Sequence, residues 1–267
     1  MSSFGGVLHS EVTKITSTRL WWILSIIMVA YIAVCAGGLA ALFGSLGTPT
    51  TSPLADDALV PLVYSFGPSL GYVFAVLLGA LATTNEFRHQ TLTPTFLAVP
   101  RRSRVLVAKL LALTGAGAVY GVLALVASVG AGAAVLAIVG IDPLLTDGGT
   151  WALIGRSVLA MALWAAIGVG LGVLVPSQVA AIVIVLAFTQ FVEPLLRLAS
   201  AITDFTAQVG RFLPGAASDA LVGQSAYQLA GADPLVLEWW QGGLVLVGIA
   251  VVVSILGWFT SWRRDVT

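Results

Sequence analysis

Six stretches of this chain, approximately 20–43, 62–84, 105–139, 151–175, 178–196 and 241–261, are almost uninterrupted apolar sequence. A helix needs about 20 such residues to cross the hydrocarbon core of a bilayer. Composition points the same way. The chain is 58% hydrophobic and 9% charged, with a mean hydropathy of +1.01. A soluble domain carries roughly 25% charged residues, so this one has too few to cover its surface in water. The expected fold is an all-α, polytopic membrane protein with six transmembrane helices. The 105–139 stretch is long enough to tilt, bend or project, and Gly130 and Gly132 are candidate bend positions. Pro176-Ser177-Gln178 separates the fourth and fifth stretches by a very tight turn, where a fused hairpin is the competing count.

Orientation follows from charge. The polar segment 86–109 holds five of the twelve Lys and Arg residues, namely Arg88, Arg101, Arg102, Arg104 and Lys109. Basic residues resist translocation, so this loop belongs in the cytoplasm. With an even number of spans both termini follow it there, which also places Lys14, Arg19, Arg263 and Arg264 inside. Only Arg156, Arg197 and Arg211 remain in the outer half, while the first two outer loops carry Asp56, Asp57, Asp142 and Asp147 without Lys or Arg. The expected location is the cell membrane (plasma or inner).

The whole of 1–267 reads as one transmembrane domain with three non-spanning segments. Residues 1–19 lack the pattern of a signal peptide. Phe4, Val7, Leu8, Val12 and Ile15 recur at helical spacing there, which predicts an amphipathic interfacial helix. Residues 86–104 form the cytoplasmic loop. Residues 198–240 form an outer segment, too long for a bare connector and expected to contain short helices. Trp21, Trp22, Trp239 and Trp240 fit interfacial belts. Gly117-xxx-Gly121 and Gly168-xxx-Gly172 would permit close helix contact.

Reacting groups are scarce. There is no His-Glu-x-x-His helix, no Gly-x-Ser-x-Gly elbow and no Gly-x-x-x-x-Gly-Lys-Ser/Thr phosphate loop. No catalytic residue is assigned, and ATP cannot be held by a P-loop of this chain. His9, His89 and Cys35 do not converge in sequence, so no metal site is expected. Nothing indicates a nucleic-acid partner. Ionisable residues within spans are costly and therefore informative. Arg156 and Glu193 lie at similar depth near the outer end and are expected to form a polar pair, structural or substrate-contacting; Arg197 follows Glu193 by four residues.

Within the basic loop, Thr91 is a candidate helix cap, Pro94 is tolerated in a first turn and Pro100 is a stop. These predict a short helix over about 92–99 with Phe96 and Leu97 on its apolar surface, followed by the cluster Arg101-Arg102-Ser103-Arg104. By physics alone such a helix either docks in a groove on another protein or lies against anionic headgroups.

Glu86-Phe87-Arg88-x-x-Thr91, followed by Pro100-Arg101-Arg102 and by Lys109 leading into a span, resembles the first cytoplasmic loop of ABC-2-type permeases. These are the membrane subunits of ATP-binding-cassette exporters. The six spans, the amphipathic N-terminal helix and Leu213-Pro214-Gly215-Ala216-Ala217 in the outer segment are similar to that family as well. Gln90 departs from it, since members commonly carry Gly before the Thr. The resemblance implies that the short helix is a coupling helix seated in a separate P-loop ATPase subunit. It implies Glu86, Arg88, Thr91, Leu92, Phe96, Leu97, Arg101 and Arg102 as the ATPase-coupling residues. It also implies that ATP and Mg are bound by the partner rather than by this chain, and that a second permease chain, identical or related, completes the transporter. The expected function is then the permease subunit of an exporter, with no catalysis of its own. An ATP-independent secondary carrier or channel and a membrane scaffold are the alternatives.

Overall fold

In hydrocarbon every backbone N–H and C=O must be satisfied within the segment, which leaves the six apolar stretches only the helix or the closed barrel. They fold as helices. The structure, a computed structural model, describes residues 3–46, 56–200, 204–225 and 237–262. Its elements are α1 (Phe4–Ser17), α2 (Leu20–Leu46), α3 (Asp56–Arg88), α4 (Leu92–Ala98), α5 (Arg102–Ile138) and α6 (Gly148–Leu174). They continue with α7 (Gln178–Ala187), α8 (Glu193–Ser200), α9 (Asp204–Gly210), α10 (Pro214–Val222) and α11 (Trp239–Gly257). A π-helical turn, Phe188–Val192, joins α7 to α8, and another, Trp258–Trp262, extends α11. Among the described residues, six helices are long and apolar enough to cross a membrane: α2, α3, α5, α6, the α7–α8 rod and α11. The chain is a multi-pass, all-α membrane protein. Residues 47–55 of the first outer loop, residues 201–203 and 226–236 of the outer segment, and Arg263 and Arg264 lie outside the described residues, as do the side chains of Asp56 and Asp57.

Helix α6 is the axis, packed against α3, α5, α10 and α11. The contacts are glycine-mediated. A Cβ at Gly168 would collide with the Val76 carbonyl, and one at Gly79 with the Ala165 carbonyl, so α3 and α6 touch backbone to backbone. Both small-residue motifs serve this purpose within the chain. Gly117 and Gly121 seat α5 on Met161 and Val158, whereas Gly168 and Gly172 seat α6 on Val76 and Ala80. Small residues of this kind permit the close packing that takes the place of a hydrophobic driving force in lipid. The outward faces remain apolar, with Val34 of α2, Val179 of α7 and Ile255 of α11 exposed for lipid to cover.

Two elements differ from expectation. Helix α3 runs 33 residues, beyond the 62–84 stretch, and contains both Pro61 and Pro68. Pro68 has no N–H for the Tyr64 carbonyl; the Ser128 hydroxyl of α5 donates to that oxygen instead, at 3.1 Å. Gly67 makes the approach possible, because a Cβ there would lie 2.7 Å from the same hydroxyl. Helix α5 runs 37 residues without a break at Gly130 or Gly132. Gly132 instead receives Val63, so it is a contact position rather than a bend. The tight turn after α6 holds, with Ser177 accepting from the Ala180 N–H at 3.4 Å. The outer segment contains the short helices expected of it, α9 and α10.

Candidate functional site

The start of α2, the α3–α5 loop, the α6–α7 turn and the end of α11 share one end of the bundle, here called the basic end. Arg88 of α3 reaches Gln178 of α7 at 2.9 Å, and Arg102 reaches the Trp262 carbonyl at 3.5 Å. All of the loop residues singled out above gather at this end.

The loop begins with a helix stop built on Gln90. Its φ of 55° is left-handed. The Thr91 N–H bonds the Glu86 carbonyl at 3.1 Å and the Gln90 N–H bonds the Phe87 carbonyl at 3.3 Å. This is a Schellman-type closure, the arrangement that glycine enters most easily. Gln90 thus makes, at the cost of a Cβ, a turn that a glycine would enter freely. Thr91, expected to cap α4 with its hydroxyl, makes no side-chain cap; its backbone is already helical (φ −79°, ψ −6°) and its carbonyl instead accepts from the Thr95 hydroxyl at 2.8 Å. The reason is local: the turn at Gln90 delivers the chain in helical geometry, not in the extended geometry that a capping hydroxyl requires.

Helix α4 presents two different faces. Leu92 is fully buried. Phe96 turns inward, its ring centroid 5.5 Å from that of Trp262 and the Arg102 guanidinium 5.0 Å from the Phe96 ring. Trp262 is itself buried, also meets Phe87 at 6.0 Å, and donates its indole N–H to the Arg102 carbonyl at 3.1 Å. Leu97 points the other way and is 79% exposed. The apolar surface expected from Phe96 and Leu97 together is therefore Leu97 alone. Arg101 is exposed and stands before the first residue of α5 without a side-chain cap bond. Trp262 is the partner that sequence reasoning missed. It sits 160 residues from Arg102, and only the return of the last span brings it there.

Behind the loop lies a buried ion cluster. Glu86 Oε1 accepts from Lys14 at 2.8 Å and from Lys109 at 3.0 Å. Glu11 completes the ring, with Oε1 2.6 Å from Lys14 and Oε2 2.5 Å from Lys109. Glu11, Glu86 and Lys109 are all below a tenth exposed. The cluster ties α1, α3 and α5 together. Burial opposes the charge on Lys14, but Glu86 and Glu11 outweigh it and hold the Lys14 pKa above its ordinary value. Glu11 gave one available signal: it stands in line with Val7 and Leu8 on the apolar stripe of α1, where a lone carboxylate is out of place unless paired.

At the opposite end, the expected pair of Arg156 and Glu193 does not form. Arg156 stacks on Trp239, its guanidinium 4.8 Å from the ring centroid. Glu193 turns instead to Arg197 at 3.3 Å and to the N-terminus of α10, accepting from the Gly215 N–H at 2.6 Å and the Ala216 N–H at 3.2 Å. Arg197 continues to Asp219 at 2.7 Å. Helix α10 carries unsatisfied N–H groups at its start, and a carboxylate there meets both the donors and the positive end of the helix dipole. Gly215 has no space for a Cβ, which would strike Glu193. Pro194 falls in the first turn of α8, where a missing N–H is tolerated, so Glu193 and Arg197 keep their four-residue helical spacing. Beside this cluster a cavity of about 710 Å³ runs between α3 and the α7–α8 rod, lined by Tyr72, Phe66, Gln190 and Glu193 among others. No metal-binding group of His, Cys, Asp or Glu occurs among the described residues. No known protein-family model matches the chain, and no curated protein matches it either.

Proposed function

We propose that the chain is the permease subunit of an ABC-2-type exporter, resident in the cell membrane with the basic end and both termini in the cytoplasm. It works with a second permease chain and a separate P-loop ATPase. The observation that carries this reading is α4: a seven-residue helix anchored to the bundle by buried Leu92 and by Phe96 against Trp262, with Leu97 left exposed. A helix so held transmits a push instead of yielding to it. Through Phe96 and Trp262 the push reaches α11; through the Gln90 turn and Glu86 it reaches α3, α5 and α1. Arg88 adds the α6–α7 turn through Gln178. The loaded helices α3, α7 and α8 line the cavity at the other end, which is the candidate segment of the substrate path. ATP and its Mg belong to the partner in this reading.

The test is co-purification from native membranes in mild detergent. A P-loop ATPase is expected with the wild-type chain and is expected to be lost with Leu97→Asp, which buries a charge at the contact while leaving this chain's own packing untouched. Glu86→Ala is expected to weaken the association by loosening the loop. If no ATPase accompanies the wild-type chain under conditions that preserve known complexes, the exporter reading falls.

A further inference from the structure

A second cavity, of about 380 Å³, opens at the basic end between the α1–α2 elbow, α3 and α5. Its wall changes character along its length. Along α3 and into the turn after it, the wall runs from Leu78 and Ala82 to Asn85, Glu86 and His89. These residues recur on one helical face and span about 16 Å at 1.5 Å per residue. Helix α5 repeats the order, with Leu113 at the apolar end and Lys109 at the charged end. Ser17 and Thr18 of the elbow form an exposed rim. A polar mouth over an apolar floor, placed at the end of a membrane bundle, matches a headgroup followed by the first methylenes of an acyl chain.

The charges narrow the headgroup. Glu11 and Glu86 balance Lys14 and Lys109, so the wall is ionised yet neutral overall. Glu86 Oε2 is buried and has no donor, although every other carboxylate oxygen of the cluster has one. Lys14 gives two contacts to the cluster, to Glu11 and Glu86, from the three N–H groups of an ammonium. The site therefore lacks one donor beside Glu86 and offers one beside Lys14. An orphaned buried acceptor is costly, and a donor that reaches it restores the loss.

We propose that this cavity binds one phospholipid with a primary-amine, zwitterionic headgroup. The headgroup ammonium serves Glu86, the phosphate is met by the Lys14 ammonium beside the Ser17–Thr18 rim, and an acyl chain lies over Ala82, Leu78 and Leu113. An anionic headgroup without the amine offers Glu86 at most a neutral hydroxyl, a weaker donor than an ammonium, and adds a net charge to the site. A quaternary ammonium leaves Glu86 unserved, because it has no N–H to donate. The lipid becomes a wedge that sets the distance between α1 and the loop behind Glu86. This inference needs the membrane class of the chain and is independent of its assignment as an exporter.

The experiment is native mass spectrometry of the full chain, delipidated in detergent and titrated with phosphatidylethanolamine, phosphatidylcholine or phosphatidylglycerol of identical acyl composition. One phosphatidylethanolamine per chain is expected, held about tenfold more tightly than the other two, the scale of one charge-assisted hydrogen bond. Ala82→Trp fills the floor and is expected to abolish retention; Thr18→Trp, on the exposed rim, is expected to weaken it and decides the matter should Ala82→Trp not fold. Glu86→Gln is expected to erase the preference over phosphatidylcholine. Equal retention of the three lipids, or unchanged retention in the folded tryptophan variants, overturns the proposal. Displacement by an equal concentration of soluble glycerophosphoethanolamine also overturns it, since the ligand is then a free solute and not a lipid.

Discussion

Gln90 holds a left-handed backbone conformation that costs a residue with a Cβ about 1–2 kcal/mol. Nothing in its side chain repays this among the described contacts, so the cost is carried by the turn that the loop requires. Gln90→Gly is expected to raise stability by about 1 kcal/mol, read as a higher melting temperature of the detergent-solubilised chain with the loop geometry retained. The ion cluster makes the opposite kind of demand. Lys109→Ala leaves Glu11 Oε2 without its lysine in a site almost closed to water. Breaking a buried pair on one side costs about 3–5 kcal/mol, and the same melting assay is expected to show a loss of that size. The pH dependence has a definite sign. Lys14 has a raised pKa in the folded chain, so its pairing contributes fully below its ordinary value of 10.5 and is lost as pH rises through the higher folded value. An alkaline titration is expected to destabilise the wild type more steeply than Lys14→Met in that window.

At the level of elements, the bundle depends on α6 lying in backbone contact with α3. Gly168→Ala is expected to be among the most damaging small substitutions, because the added methyl must displace the Val76 carbonyl and no side chain stands there to yield. A loss of roughly 3 kcal/mol or more fits forced overpacking of this kind, visible as failure to recover monodisperse protein. Gly130→Ala is the control. It adds the same methyl to α5 where no atom lies within 4 Å, and it is expected to be neutral or slightly stabilising through helix propensity. The contrast matters for reading glycine from sequence. Both positions are small residues in apolar helices, yet one is a contact and the other is lipid-facing space.

The whole molecule is polarised from end to end. Both lysines, Arg19, Arg88, Arg101, Arg102, Arg104 and the short helix collect at one end, while Asp142, Asp147 and the Glu193–Arg197–Asp219 cluster mark the other. With Cys35 replaced by serine, a cysteine at Ser103 is expected to react with an impermeant maleimide only after the cell is opened. A cysteine at Asp147 is expected to react in intact cells. The reverse pattern would overturn the inside assignment of the basic loop, and with it the site at which an ATPase is proposed to dock.

The six spans, their count and the short helix with Pro94 in its first turn and Pro100 just beyond its end were legible in the chain because they rest on local properties. Apolar length, proline placement and charge asymmetry act within a single segment, so they are visible along a line of letters. The partners of the charged residues were not legible, for the opposite reason. Arg156 and Glu193 share a depth, but depth does not set the azimuth of a helix. Packing of α6 turned Arg156 toward Trp239, and the arrival of α10 gave Glu193 two backbone donors that a side-chain pairing argument does not contain. Phe96 and Leu97 are adjacent in sequence and differ in fate because the last span returns Trp262 to one side of α4 only. Sequence alone determined what kind of solvent this protein inhabits and which segments cross it. Tertiary structure decided which face of each segment meets another, because that choice is made by contacts between residues far apart in the chain.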